Sequence, residues 1–138
     1  MKRVTDASIS DLGEILRSLQ PVLNDGVYVY LSVPDDFDLT GLNVIGTFRE
    51  TEGLSVIIDE RDAQKTGHDV LFRAAWITLS VRSDLQAVGL TAAFASALGK
   101  AGISCNVVAA ACHDHIFVPV ELADEAMKVL IRLQQDQM

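Results

Sequence analysis

The chain is organised around residues 75–120, which read AWITLSVRSDLQAVGLTAAFASALGKAGISCNVVAAACHDHIFVPV. The first seven of these residues alternate between two kinds of side chain, as in a strand with one buried face. Apolar residues then recur at helical spacing, which predicts a helix over residues 89–100. Gly102 comes just after the last periodic residue, and a glycine in that position predicts the end of the helix.

The rest of this half predicts a hairpin and a second helix. The hairpin arms are predicted over residues 104–111 and 115–120, with the turn near His113 and Asp114. The helix is predicted over residues 121–134, where acidic side chains in the first turn would be stabilised by the positive end of the helix dipole. The order is strand, helix, strand, strand, helix. A complete βαββαβ unit of the ferredoxin type needs one more strand, so this half is short by one.

The N-terminal half shows a similar, weaker pattern. A first helix runs from Leu12 to Leu19 and is expected to end at Pro21. The predicted strands cover residues 27–33, 44–49 and 54–58, with a loop over 37–43 and a polar helix or turn over 59–65.

These patterns predict an α+β protein of two incomplete units, 1–67 and 68–138. Each unit is expected to have an antiparallel sheet with its helices on one face. Because both units are incomplete, we expect them to share or lend a strand, with residues 72–81 as the first candidate.

Composition excludes several classes of function. The net charge of −8 argues against nucleic-acid binding, which requires a basic face. The N-terminus has a basic pair but no apolar segment, so neither a secretory signal nor a membrane span is expected, and a cytoplasmic location is predicted. Cys105 and Cys112 do not face each other across the predicted hairpin. Free thiols are therefore expected.

Two segments of the C-terminal half carry a family resemblance. Residues 81–94 (VRSDLQAVGLTAAF) and 98–108 (LGKAGISCNVV) resemble the strand, Gly-Leu loop, helix and A-G-I-x-x-N return strand of ACT domains. Residues 48–54 and 113–120 look like those of short bacterial proteins with two degenerate ACT units, a subgroup similar to the regulatory part of aspartate kinases. The resemblance implies tandem ferredoxin-like units and a homodimer. It further implies a sensor that binds a small amino acid between ACT units, without catalysis and without a cofactor.

The resemblance places the ligand at the loop that enters the helix and at the start of the following strand. A helix N-terminus can hold an α-carboxylate, Asp84 offers a carboxylate to an α-ammonium group, and the Asn106 amide can bind either end of a zwitterion. Val88 replaces the proline common in this family, and residues 83–86 could instead form a capping box that starts the helix earlier. The expected ligand-binding residues are Ser83, Asp84, Leu85, Val88, Gly89, Leu90, Thr91, Asn106 and Val107.

Two other functions stay open at this stage. If the ligand loops are vestigial, the chain is a protein–protein interaction module, and Trp76 either covers a subunit contact or packs under helices of the other half. Alternatively, His113 and His115 lie at i and i+2 on a strand and could bind a metal in a metal-dependent enzyme, with Asp114 as a third ligand. No HExxH or CxxC spacing, Gly-rich phosphate loop or G-x-S-x-G elbow supports catalysis, so neither a metal nor an enzyme is predicted.

Overall fold

The computed structural model describes residues 12–80 and 89–136 and confirms the α+β class. Short 3₁₀ turns precede the second and fourth of the helices named below. The strands are Gln20–Leu23 (β1), Tyr28–Val33 (β2), Val44–Glu50 (β3), Gly53–Asp59 (β4), Phe72–Ser80 (β5), Asn106–Ala109 (β6) and Asp114–Pro119 (β7). The helices are Leu12–Arg17 (α1), Ala63–Thr66 (α2), Leu90–Lys100 (α3) and Ala123–Gln135 (α4).

The chain divides into two compact units within β5, between Ala75 and Trp76. Unit 1 combines the first 24 residues with residues 76–138, and unit 2 consists of residues 25–75. The predicted division, between residues 67 and 68, separates the two repeats in their order along the sequence. In the folded chain, the N-terminal segment instead belongs to the same compact unit as the C-terminal repeat.

Unit 1 obtains its missing strand from the N-terminal segment. β1 pairs antiparallel with the second part of β5, from Gln20 opposite Ser80 to Leu23 opposite Ile77. β7 lies beside β5 and pairs in turn with β6, which gives the order β1-β5-β7-β6. The first helix ends before Pro21, as predicted, but the sequence did not predict the strand that follows it. The four residues of β1 include a proline and carry a weak strand signal, so their strand geometry depends on the backbone pairing with β5.

The core of unit 1 lies between this sheet and its helices. Ile77 and Leu79 of β5 are fully buried, as the alternating pattern predicts. The periodic face of α3 contributes Phe94 and Leu98, and α4 contributes Leu130. Each such side chain stabilises the fold by about 2 kcal/mol through burial. The helix predicted over residues 89–100 is thus confirmed, and Gly89 stands just before its first residue.

Unit 2 has a four-stranded sheet, and one face of this sheet is covered by different structure from that in unit 1. β3 pairs with β4, β4 with β2, and β2 with the first residues of β5, all antiparallel. Loop residues, rather than a long helix, pack on one face of this sheet, with Phe37 and Leu39 against the buried cluster. The buried cluster consists of Val29, Leu31, Val33, Val56, Ile58 and Ala63.

The β6–β7 hairpin forms as predicted but turns earlier. The last paired residues are Ala109 and Asp114, and Ala110 N–H donates to the His113 carbonyl oxygen at 3.0 Å. The turn expected at His113 and Asp114 was therefore misplaced, and its tip includes Cys112. In the described ranges, no helix is long and apolar enough to cross a membrane.

Candidate functional site

The entry to α3 is shaped by Gly89. This residue has a φ of 96°, in the left-handed region, and caps the helix without a side-chain hydrogen bond to its first turn. A Cβ atom at this position would lie 3.3 Å from Leu12 Cδ2 on α1. Gly89 therefore meets two structural requirements, a positive φ that would strain other residues and a close approach of α1. The first N–H groups of α3 receive no side-chain cap from it.

The expected ligand residues around Gly89 occupy different environments. Leu90 is 4% exposed and belongs to the core, whereas Thr91 is exposed in the first turn of α3. The remaining members of this loop lie outside the described residues: Ser83, Asp84, Leu85 and Val88. Of the described loop residues, Thr91 is therefore the one whose side chain is available to a solute.

Asn106 and Val107 begin β6 and point to opposite faces of the sheet. Asn106 is opposite Phe117 in the ladder and Val107 is opposite Ile116. The Asn106 side-chain amide donates to the Phe117 carbonyl oxygen at 3.2 Å. Its own carbonyl oxygen can still accept a bond, because an asparagine amide has separate donor and acceptor groups. Since the two neighbours alternate, one ligand on one face of the sheet contacts only one of these side chains.

The predicted histidine pair forms a different site, in which β7 meets β5. Trp76 Nε1 donates to His115 Nδ1 at 3.0 Å, and the Trp76 ring stacks on Phe117 with centroids 6.2 Å apart. The expectation that Trp76 packs under helices of the other half or covers a subunit contact missed these two partners. Both of them lie on β7.

Two residues that the sequence did not single out complete this cluster. Thr78 Oγ1 lies 3.2 Å from His115 Nδ1 and accepts from Asn24 Nδ2 at 2.9 Å. Asn24 Nδ2 also donates to the Trp76 carbonyl oxygen at 3.2 Å. The two bonds from Asn24 join residues more than fifty positions apart. Alternation on β5 places Thr78 on the Trp76 face, but nothing in the sequence indicates which residue meets it there.

The hydrogen bond from Trp76 fixes the protonation of His115. An indole N–H can only donate, so Nδ1 must accept and the neutral ring carries its proton on Nε2. A metal ion would need the lone pair that this proton occupies. Burial lowers the pKa of His115, His113 lowers it further, and Asp114 raises it. The geometry thus favours a neutral structural histidine, and the described residues contain no group of three His, Cys, Asp or Glu side chains placed to hold a metal ion.

Other side chains with shifted pKa values also owe the shift to their structural surroundings. The side-chain and backbone hydrogen bonds of Arg61 hold the pKa of Asp59 at about 2, and the same carboxylate caps the 3₁₀ turn before α2. Burial raises the pKa of the Cys105 thiol to about 11, which makes it a poor nucleophile. Cys105 and Cys112 are both free, as expected. Neither Asp59 nor Cys105 therefore has the environment of an activated acid, base or nucleophile.

Family comparisons agree with the architecture. A model described as ACT domain matches residues 7–75, and a second model with the same description matches residues 72–132. The chain belongs to the ACT-domain family. The two matched segments meet at β5, and together they confirm the tandem arrangement expected from the sequence.

Solved structures with this ACT fold include one closer relative and several distant ones. A protein of unknown function from Vibrio cholerae, described as a possible transport protein, is 43% identical with a TM-score of 0.82. The match covers 89% of this chain and 95% of that one. The ligand-free regulatory subunit of aspartate kinase from Thermus thermophilus is 13% identical with a TM-score of 0.61, covering 84% of this chain and 98% of that one.

A third relative extends the structural comparison. A protein from Agrobacterium tumefaciens is 18% identical with a TM-score of 0.62, covering 84% of this chain and 89% of that one. No curated protein matches the sequence. The chain therefore has an ACT-domain regulatory fold, similar to that of aspartate kinase regulatory subunits.

Proposed function

We propose that this protein is a non-catalytic sensor that binds a small amino acid at the loop entering α3. The observation that carries the proposal is the N-terminus of α3. Gly89 precedes this helix of 11 residues and provides no side-chain cap, so backbone N–H groups and the positive end of the helix dipole are available to a carboxylate. Thr91 adds an exposed hydroxyl in the same turn.

Family membership supports the same site. The preceding loop carries Asp84, whose carboxylate suits the α-ammonium group of an amino acid. A free amino acid presents both charges, and the helix N-terminus with Asp84 would pair with each of them. The regulatory aspartate kinase subunit shares the fold at 13% identity, which supports a regulatory role without naming the ligand.

A thermal-unfolding screen against the common amino acids tests the proposal. A ligand at about 100 times its dissociation constant stabilises the folded state by about 2.7 kcal/mol, which raises Tm by several degrees in a chain of this size. We expect one amino acid, or a related pair, to produce that shift. Asp84→Ala should abolish it, and Asp69→Ala, on an exposed turn of unit 2, is the matched control. If no amino acid raises Tm, the proposal is wrong.

We also propose that the protein is a homodimer that associates through the sheet of unit 2. The register places Tyr30 beside Ile57 and Phe72, on the face opposite the buried cluster. Phe48 extends the same face and is 74% exposed. An exposed aromatic side chain next to half-buried apolar neighbours is typical of an interaction surface. This observation equally favours the second candidate function, an interaction module with vestigial ligand loops, if the amino-acid screen fails.

A further inference from the structure

A groove runs between the C-terminal ends of α3 and α4 in unit 1. It has a volume of about 320 Å³, at the small end of the range for ligand sites. Four small or aliphatic side chains and three charged ones surround it. The lining residues are Ala97, Lys100, Ala101, Val129, Arg132, Leu133 and Asp136.

The charges around this groove differ from those of the whole protein. The chain has a net charge of −8, yet the groove is lined by two cations and one carboxylate. Four other described cations have carboxylate partners, among them Lys65 with Asp62 and Lys128 with Glu125. Within the described residues, Lys100 and Arg132 form no ion pair. The groove is therefore a local positive site with an apolar floor.

The helix dipoles explain only part of this arrangement. A cation in the last turn of a helix is favourable without any ligand, and Lys100 and Arg132 both lie there. The dipole does not require the two cations to meet at one groove, however, nor that alanines leave space between them. An anion with a short apolar chain would fill that space and pair with both cations.

We propose that the groove binds a short aliphatic carboxylate, with the apolar chain on Ala97, Val129 and Leu133 and the carboxylate at Lys100 and Arg132. Two sources share this chemistry, an amino acid with an aliphatic side chain and the corresponding free acid. Asp136 lines the groove and can accept an α-ammonium group, which only the amino acid carries. The proposal does not rest on the site at the entry to α3, because the groove lies at the other end of that helix.

Nuclear magnetic resonance with leucine and isocaproate tests the proposal. Each compound is titrated to millimolar concentration at constant ionic strength, and the amide shifts of Ala97, Ala101 and Leu133 are followed. We expect saturable shifts at these amides, with acetate causing none because it lacks the apolar chain. Tighter binding of leucine would assign the amino acid as ligand through Asp136, and tighter binding of isocaproate would assign the free acid.

Variants separate the groove from general charge effects. Arg132→Gln should weaken binding about tenfold or more, because it removes a charge-assisted contact. Ala97→Leu fills the floor and keeps every charge, and it should abolish binding. Lys128→Gln removes the same charge from the exposed side of α4 and should change nothing.

Three results would overturn the proposal. They are the absence of saturable shifts, equal shifts with acetate, and binding that persists in both groove variants. Asp84→Ala should leave groove binding intact. A leucine effect that Asp84→Ala removes and Arg132→Gln does not would instead support the amino-acid site at the entry to α3.

Discussion

The two units cover similar sheets in different ways. Unit 1 packs the long helices α3 and α4 against its sheet, whereas unit 2 has only the four-residue helix α2 and the loop between β2 and β3. The sequence explains the difference. Pro34, three aspartates and Gly41 interrupt the segment after β2, while the segment after β5 continues into a long amphipathic stretch. A helical cover has a continuous buried stripe and defined ends, and those ends are where both candidate ligand sites lie.

The helices that cover the sheet of unit 1 and the loop that covers the sheet of unit 2 should therefore differ in how much stability each loses with an aromatic side chain. Phe94→Ala removes a fully buried ring from α3 and should destabilise the protein by about 3–5 kcal/mol. Phe37→Ala removes a half-buried ring from the loop of unit 2 and should cost about half as much. Urea denaturation of both variants measures the difference. Equal losses would show that the loop cover is packed as tightly as the helical one.

Two glycines with positive φ provide a second comparison. A Cβ atom at Gly53 would lie 2.5 Å from the Val33 carbonyl oxygen, a backbone atom that cannot move aside, and φ is 147°. Gly53→Ala should therefore destabilise the protein by about 3 kcal/mol. Gly89→Ala meets only the flexible end of Leu12 and should cost about 1–2 kcal/mol. Unfolding free energies of both variants test the ranking, and Gly99→Ala, with no atom nearby and a helical backbone, should not destabilise at all.

The units should also lose stability in different ranges of pH. In unit 1 the pKa of His115 is lowered from its ordinary 6.5, so the unfolded chain binds the proton first and stability falls as pH falls below about 6.5. In unit 2 the pKa of Asp59 is lowered from 3.8 to about 2, so its contribution persists above about pH 4 and is lost as pH falls through 2.

Single variants assign each range of pH to its residue. His115→Gln should flatten the stability profile just below pH 6.5, and Asp59→Asn should flatten it between about pH 4 and 2. Trp76 is the single tryptophan of the chain and contacts His115, so its fluorescence reports the first transition directly. A transition below pH 6.5 that survives in His115→Gln would show that another group causes it.

Sequence periodicity predicted most of the helices and strands of unit 1, but it predicted less of how the strands pair. The α3 stripe, the β6–β7 hairpin and the strand around Trp76 all carry strong local patterns, and the structure confirms them. β1 was missed because its four residues gain strand geometry only from β5, which lies more than fifty positions away. The hairpin turn was misplaced because two histidines and an aspartate gave a polar signal stronger than that of the true tip at Cys112.

The candidate sites likewise include features that local sequence signals predict and features that depend on tertiary packing. Gly89 and its helix follow from local signals, since a glycine before an apolar stripe predicts the helix entry. The bonds among Asn24, Thr78 and His115 depend on which strands become neighbours, and a single sequence does not specify that. The groove at Lys100 and Arg132 likewise arises only when two helices that are distant in sequence pack side by side.

The smallest expected effect on stability concerns the uncovered face of unit 2. Phe48→Ser replaces a ring that is 74% exposed, so the unfolding free energy of the monomer should change by less than about 0.5 kcal/mol. If that face joins two copies, the same variant should shift the protein from dimer to monomer in sedimentation experiments, because an interface loses a central aromatic contact. Val108→Ser, an exposed apolar residue of unit 1, is the control and should leave the oligomeric state unchanged. A Phe48→Ser protein that still sediments as a dimer would place the contact elsewhere, and the bare face of unit 2 would then need a different partner.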